Sequence, residues 1–186
     1  MHTTQQFGPV YNARCVSKLL HVVCNNERLT SFGPPPDALP GFITFFDPGL
    51  SVLGLRVVLE FLDKQLLFDH WYIIESFAKF AEEPRYRQLQ IEAVKDSFGK
   101  AFAEQQTLVP PGEEIPTARV VLTAMAIHFL ATGERLFSDH YVRCVDETSG
   151  GRLVHVGGFG PDGVRVGHWR PAYSYGVLGV VLSRKF

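Results

Sequence analysis

The spacing of apolar residues changes once along this chain, and that change constrains the fold more than any other feature. Before Gly133 the apolar side chains recur at three- and four-residue intervals, as on one face of a helix. Beyond Asp139 they alternate, and Val, Tyr and Gly displace Leu, Glu and Lys. Helices first and strands last, with no strand–helix–strand alternation, predicts an α+β fold. Three to four helices, over about residues 12–135, pack on a C-terminal antiparallel sheet of about four strands over about 140–186. The 186 residues suit a single domain, 1–186.

The helical half reads in pieces. Asn12 to Val23 carries Val16, Leu19, Leu20, Val22 and Val23 at helical spacing, although LLHVV also suits a strand. Three breakers follow: Gly33-Pro34-Pro35-Pro36, Pro40-Gly41 and Asp47-Pro48-Gly49, with Gly41 to Phe46 a short strand or apolar plug between them. Ser51 to Glu83 reads as one long amphipathic helix, or two broken near Phe68 to His70. Arg85 to Gln105 is a second, weakened at Gly99 by about 1 kcal/mol relative to Ala. Thr117 to Thr132 is a third, closed by Gly133.

Four strands follow, Tyr141 to Glu147, Arg152 to Phe159, Val164 to Arg170 and Tyr175 to Ser183. Between the second and third, Gly160-Pro161-Asp162-Gly163 suits a three-residue hairpin with a left-handed glycine, which pairs Gly160 with Val164 and sets His155 opposite Trp169. Val154, Val156, Val164, Val166 and His168 then share one face; Leu153, His155, Phe159, Arg165 and Trp169 share the other. A two-residue turn would instead put His155 opposite His168 and mix the valines across both faces, so a His–His metal pair is disfavoured.

Composition excludes several classes. Eighteen Lys+Arg against nineteen Asp+Glu leave no basic field, so no nucleic-acid partner is expected. The start of the chain has neither a basic nor an apolar signal region, and Leu50 to Phe80 is broken by charges, so neither a secretory leader nor a membrane span is expected. With three cysteines, too few for a disulfide framework, the chain reads as cytoplasmic.

For chemistry the sharpest pattern is Cys15 at a helix start beside Arg14, where the dipole favours a thiolate, with His155 lying 140 residues on. The order helix-borne cysteine, helical middle and sheet-borne histidine resembles papain-type hydrolases, although Val16-Ser17-Lys18 follows Cys15 in place of their local signature. That resemblance implies Cys15 as nucleophile, His155 as base, and His168 or Asp162 orienting the imidazole. Against it, a free cysteine is most often a small buried apolar residue. Asp139, His140, Cys144 and His155 or His168 lack recognisable metal-ligand spacing, so no metal is expected, and no cofactor motif is present. Gly157-Gly158-Phe159-Gly160 fits a backbone approach better than a phosphate loop. His128 reads as a core histidine bonded to a carbonyl.

The broader reading is a binding domain for a protein or small-molecule partner. Its candidate surface is Trp169, Tyr173, Tyr175, Arg165 and Arg170. With the other late basic residues, Arg143, Arg152, Arg184 and Lys185, they suggest an anion-binding sheet face, but Asp139, Asp146, Glu147 and Asp162 dilute the charge and a solvated strand face accounts for it better. The two readings separate by alkylation. A thiolate nucleophile makes Cys15 the thiol that iodoacetamide labels first at pH 6, whereas slow, equal labelling of all three cysteines would remove the hydrolase reading.

Overall fold

The computed structural model of the chain describes residues 9–11, 33–61, 67 and 69–186. In chain order its elements are β1 (Val10–Tyr11), β2 (Phe42–Asp47), α1 (Val52–Phe61), a 3-10 turn (Trp71–Ile74), α2 (Ser76–Lys79), β3 (Arg85–Gln90), α3 (Phe102–Gln106), α4 (Ala118–Thr132), β4 (Tyr141–Glu147), β5 (Leu153–Gly160), β6 (Gly163–Trp169), β7 (Leu178–Gly179) and β8 (Ser183–Lys185). The expected helix at Asn12 to Val23 lies outside the described residues.

The strands make two mixed sheets, ordered β1-β2-β3-β8 and β6-β5-β4-β7, each with one parallel pairing. This overturns the expected helical half on one C-terminal antiparallel sheet. Phe42–Asp47 is an interior strand, and Arg85–Gln90, expected as helix, is its antiparallel neighbour, with Phe42 opposite Gln90 and Asp47 opposite Arg85. The physical reason is that β3 buries polar side chains. Arg87 and Gln88 are 2% and 1% exposed, on opposite faces of one strand, and hydrophobic periodicity does not register either. Gln88 donates from Nε2 to Asp37 O at 2.7 Å and Thr44 Oγ1 at 3.1 Å, while its buried Oε1 has no hydrogen-bond partner among the described residues. The expected strand Tyr175 to Ser183 is also divided: β7 joins β4 in one sheet, and β8 joins β3 in the other.

Helix α4 lies between the sheets. From Ala118 to His128 every residue is buried, and the helix touches β2 of the first sheet, β4 and β5 of the second, and α1. Its sequence has no polar face, which suits only an interior helix. Thr117 caps it by accepting from Val120 N, and Gly133 ends it in the left-handed conformation (φ 79°) with its N–H on Phe129 O. One cluster joins Ile43 and Phe45 of the first sheet, Val121 and Met125 of α4, and Val154, Val156 and Val166 of the second sheet. Among the described residues no helix is long and apolar enough to cross a membrane.

The β5–β6 hairpin corrects the expected register. Its turn is the two-residue form, Gly160 opposite Gly163, but a bulge at Gly158–Phe159 then shifts the pairing to Leu153 with Trp169, Val154 with His168 and His155 with Gly167. The pairing therefore moves by two residues from the expected one, and a shift of two preserves which strand residues share a face. Phe159, in the bulge, is the exception: it packs on Phe129 of α4, on the valine side. The outer edge of β6 is closed by two side chains and one backbone bridge. Val166 N donates to Asp69 Oδ2 at 2.7 Å, Trp71 Nε1 donates to Val166 O at 2.6 Å, and Leu67 bridges Val164.

Asp47, 0% exposed at the end of β2, holds the first sheet to α4. Arg87 Nε of β3 and Arg119 Nη1 of α4 both donate to it at 2.8 Å, and it also accepts from Gly49 N at 2.9 Å. Glu82 pairs with both guanidiniums, while Glu114 reaches Arg87 at 3.5 Å. Beside them Asp146 of β4 accepts from Ala118 N at the start of α4, and burial raises its pKa above the ordinary carboxylate value. Removing one member of a buried charge set leaves the others desolvated without compensation. Asp47→Asn should lower the unfolding free energy by roughly 3–5 kcal/mol, read from urea midpoints; a loss under about 1 kcal/mol would mean that Glu82 and Glu114 suffice for both arginines.

Candidate functional site

The face of the second sheet turned away from α4 carries rings. Strand pairing places Tyr141, Arg143, His155, Arg165 and Trp169 on that face. The His155 imidazole stacks on Trp169 (centroids 4.4 Å, planes 28° apart) and meets the Tyr141 ring edge-on at 5.2 Å. Tyr173 and Tyr175, from the exposed segment after β6, close on Trp169 at 4.9 and 5.4 Å, yet remain 44% and 46% exposed. Beneath them Arg143, 1% exposed, braces the segment by donating to Pro171 O at 3.3 Å and Tyr173 O at 2.6 Å, with its guanidinium over Phe102.

Gly167, opposite His155, makes this packing possible. A Cβ there would meet the imidazole, with Cε1 only 2.7 Å away, so the ring lies where a side chain would otherwise stand. His155 is 6% exposed and its Nδ1 has no hydrogen-bond partner among the described residues. Burial first, then His168 and Arg143, push its pKa down to about 4, so the ring is neutral at physiological pH.

The structure brings together Trp169, Tyr173 and Tyr175, with Arg165 on the same face and Arg170 exposed at the start of the tyrosine segment. It does not bring His168 beside His155 on that face: His168 pairs with Val154 and packs edge-on against Trp71 at 4.5 Å. The late basic residues are also divided, because Arg184 and Lys185 belong to the first sheet and pair with Glu113 and Glu114. Cys15 lies outside the described residues. Cys144 is fully buried, and desolvation drives its thiol pKa well up, so it is no nucleophile. His128 accepts or donates through Nδ1 with the Tyr11 hydroxyl at 2.8 Å and pairs with Glu134, where a carbonyl partner was expected. Among the described residues no three His, Cys, Asp or Glu side chains converge to hold a metal ion.

Next to the aromatic face is a cleft of about 420 Å³, walled by Ile91, Ala93, Phe98 and Val177 and lined in its polar part by Glu92, Asp139 and His140. Asp139 Oδ1 and His140 Nδ1 are 2.7 Å apart, and His140 Nε2 is buried with no hydrogen-bond partner among the described residues. The bulge of β5 positions this pair. Gly158 N donates to His140 O at 2.9 Å, and Gly157 (φ 151°) lets the Tyr141 backbone approach to where a Cβ would be 2.8 Å from its Cα. The sequence offered the glycines from 157 to 160 as bends or an approach of backbones, and Asp139 and His140 as members of a metal set without ligand spacing; what it lacked was the apolar wall contributed by residues 91–98, which were expected in a helix.

The depressed His155 pKa has a signed consequence. Above pH 6.5 the imidazole is neutral folded and unfolded; as pH falls from 6.5 to 4 the unfolded chain takes up a proton that the folded one refuses, and stability drops. His155→Phe keeps the stack on Trp169 and removes this linkage, so its loss of stability over that window should be smaller than that of the parent by on the order of 2–3 kcal/mol in urea titrations. Equal pH slopes for the two proteins would show the ring to be solvated. No protein-family model matches the chain, and neither a curated protein nor a solved structure does.

Proposed function

We propose that the chain is a binding domain whose recognition surface is the aromatic face of the second sheet, and that its partner is a protein segment. The observation that carries this reading is the contrast within one cluster. Tyr173 and Tyr175 are nearly half exposed, while the rings and guanidinium behind them, His155 and Arg143, are buried and fixed. Exposed aromatics on a rigid backing lose little conformational freedom on contact, which is the property of residues that dominate interface energies. Arg165 and Arg170 flank the rings with positive charge and favour segments that carry an acid beside an apolar anchor.

Selection of displayed peptides on the parent protein, with counter-selection on Tyr173→Ala/Tyr175→Ala, tests this. Because both side chains are about half exposed and lie outside the core, the double variant should still fold, with a melting transition only modestly below the parent's. Peptides so selected should bind the parent with a change in Trp fluorescence and lose about 30-fold or more in affinity on the double variant. Enriched peptides that bind both proteins equally would place recognition elsewhere on the surface.

A further inference from the structure

The cleft beside the aromatic face has a chemistry of its own, independent of the protein-binding reading. Asp139 is exposed, and the adjacent imidazole holds its carboxyl below the usual range, so it is ionised and only accepts. The 2.7 Å contact therefore places a proton on His140 Nδ1, and in the neutral form of the ring Nε2 then carries the lone pair. That lone pair is buried and unmatched, a standing penalty that a donor would relieve. The rings nearest the imidazole are Phe137 and Phe98, edge-on at 5.4 and 5.5 Å; Phe137 is buried, whereas Phe98 is 39% exposed and forms part of the cleft wall.

Two further observations point to the same place. Among the described residues, Asp96 (φ 64°) and Phe137 (φ 54°) are the non-glycine positions in the left-handed region, and they stand on the two segments that border the cleft. For a phenylalanine this conformation is strained, and such strain collects at ligand sites. In addition, Glu92 and Asp139 both line the cleft and disfavour an anion. The volume suits one small molecule.

We propose that this cleft binds a small neutral ring compound bearing one hydroxyl or N–H donor, which donates to His140 Nε2 while its ring packs against Phe98 and Val177. The test uses the full chain with three probes of one shape: p-cresol, 4-methylanisole, which lacks the donor, and p-toluate, which carries a negative charge. Chemical shifts of the His140 ring nitrogens and of Phe98 and Val177 are followed. Saturable shifts are expected with p-cresol at millimolar concentrations, with the other two probes at least about tenfold weaker. His140→Phe, which removes the unmatched Nε2 together with the contact from Nδ1 to the exposed Asp139, should fold, keep weak ring binding and bind p-cresol and 4-methylanisole alike. Asp139→Asn, which releases the proton position, should reduce the preference for p-cresol. Tyr173→Ala/Tyr175→Ala should retain the p-cresol response, and its loss there would assign the probe to the aromatic face instead. Equal binding of p-cresol and 4-methylanisole by the parent, a preference that survives His140→Phe, or no saturable shift at all would each overturn the proposal.

Discussion

One buried carboxylate organises this molecule. Asp47 ends β2 with no exposed surface and takes a guanidinium from the neighbouring strand and another from α4, so the first sheet and the central helix are registered against each other by charge. A hydrophobic contact would tolerate small slips of the helix along the sheet, whereas two directed bonds to one carboxylate do not. Asp146 extends the constraint to the second sheet, because its carboxylate sits on the first amide of the same helix. Both sheets are thus referred to the start of α4 by acidic side chains, while the apolar body of the helix fills the space between them.

The second sheet divides its two faces by chemistry. Valines turn toward α4 and rings turn away, and the bulge at Gly158–Phe159 lets both arrangements persist to the end of the hairpin by sending Phe159 back into the core. The same irregularity fixes the backbone at His140 through Gly158 and so sets one wall of the cleft. Fold and site therefore share a defect in the ladder, as bulges near binding sites commonly do.

The sequence was legible where burial is apolar. Helix α4, with its Thr117 cap and Gly133 end, and the strands β4, β5 and β6 lie close to where periodicity and turn residues put them. The facial division of the hairpin also survived a mistaken register, because the error was two residues. The first sheet was legible only at β2, which one of the two readings of Gly41 to Phe46 made a short strand. Its strand β3 buries Arg87 and Gln88, whose partners Asp47, Asp37 and Thr44 lie 40 to 51 residues away, with Glu82 alone nearby, and no local pattern encodes those distant pairings. The helical reading of Leu89, Ile91 and Val94 failed for the same reason: a strand and a turn with polar interiors mimic an amphipathic spacing. The site fared likewise. Trp169, Tyr173 and Tyr175 are near neighbours and could be grouped by eye, whereas the cleft draws on residues from 91 to 177 that only the tertiary fold assembles.

The division of the C-terminal segment between sheets has a kinetic consequence. Strand β8 pairs with β3, and all of α4 and the β4–β6 meander lie between them in the chain. Closing so large a loop loses entropy before any contact offsets it, so the hairpins of the second sheet, whose partners are adjacent, can form first. That order leaves β3 open on one side until Ser183–Lys185 reaches it. A vacant strand edge during this interval is a template for the wrong chain, and the arginines and glutamines of β3 are poor partners for such pairing. The polarity that hid this strand from periodicity thereby guards it while it is unpaired.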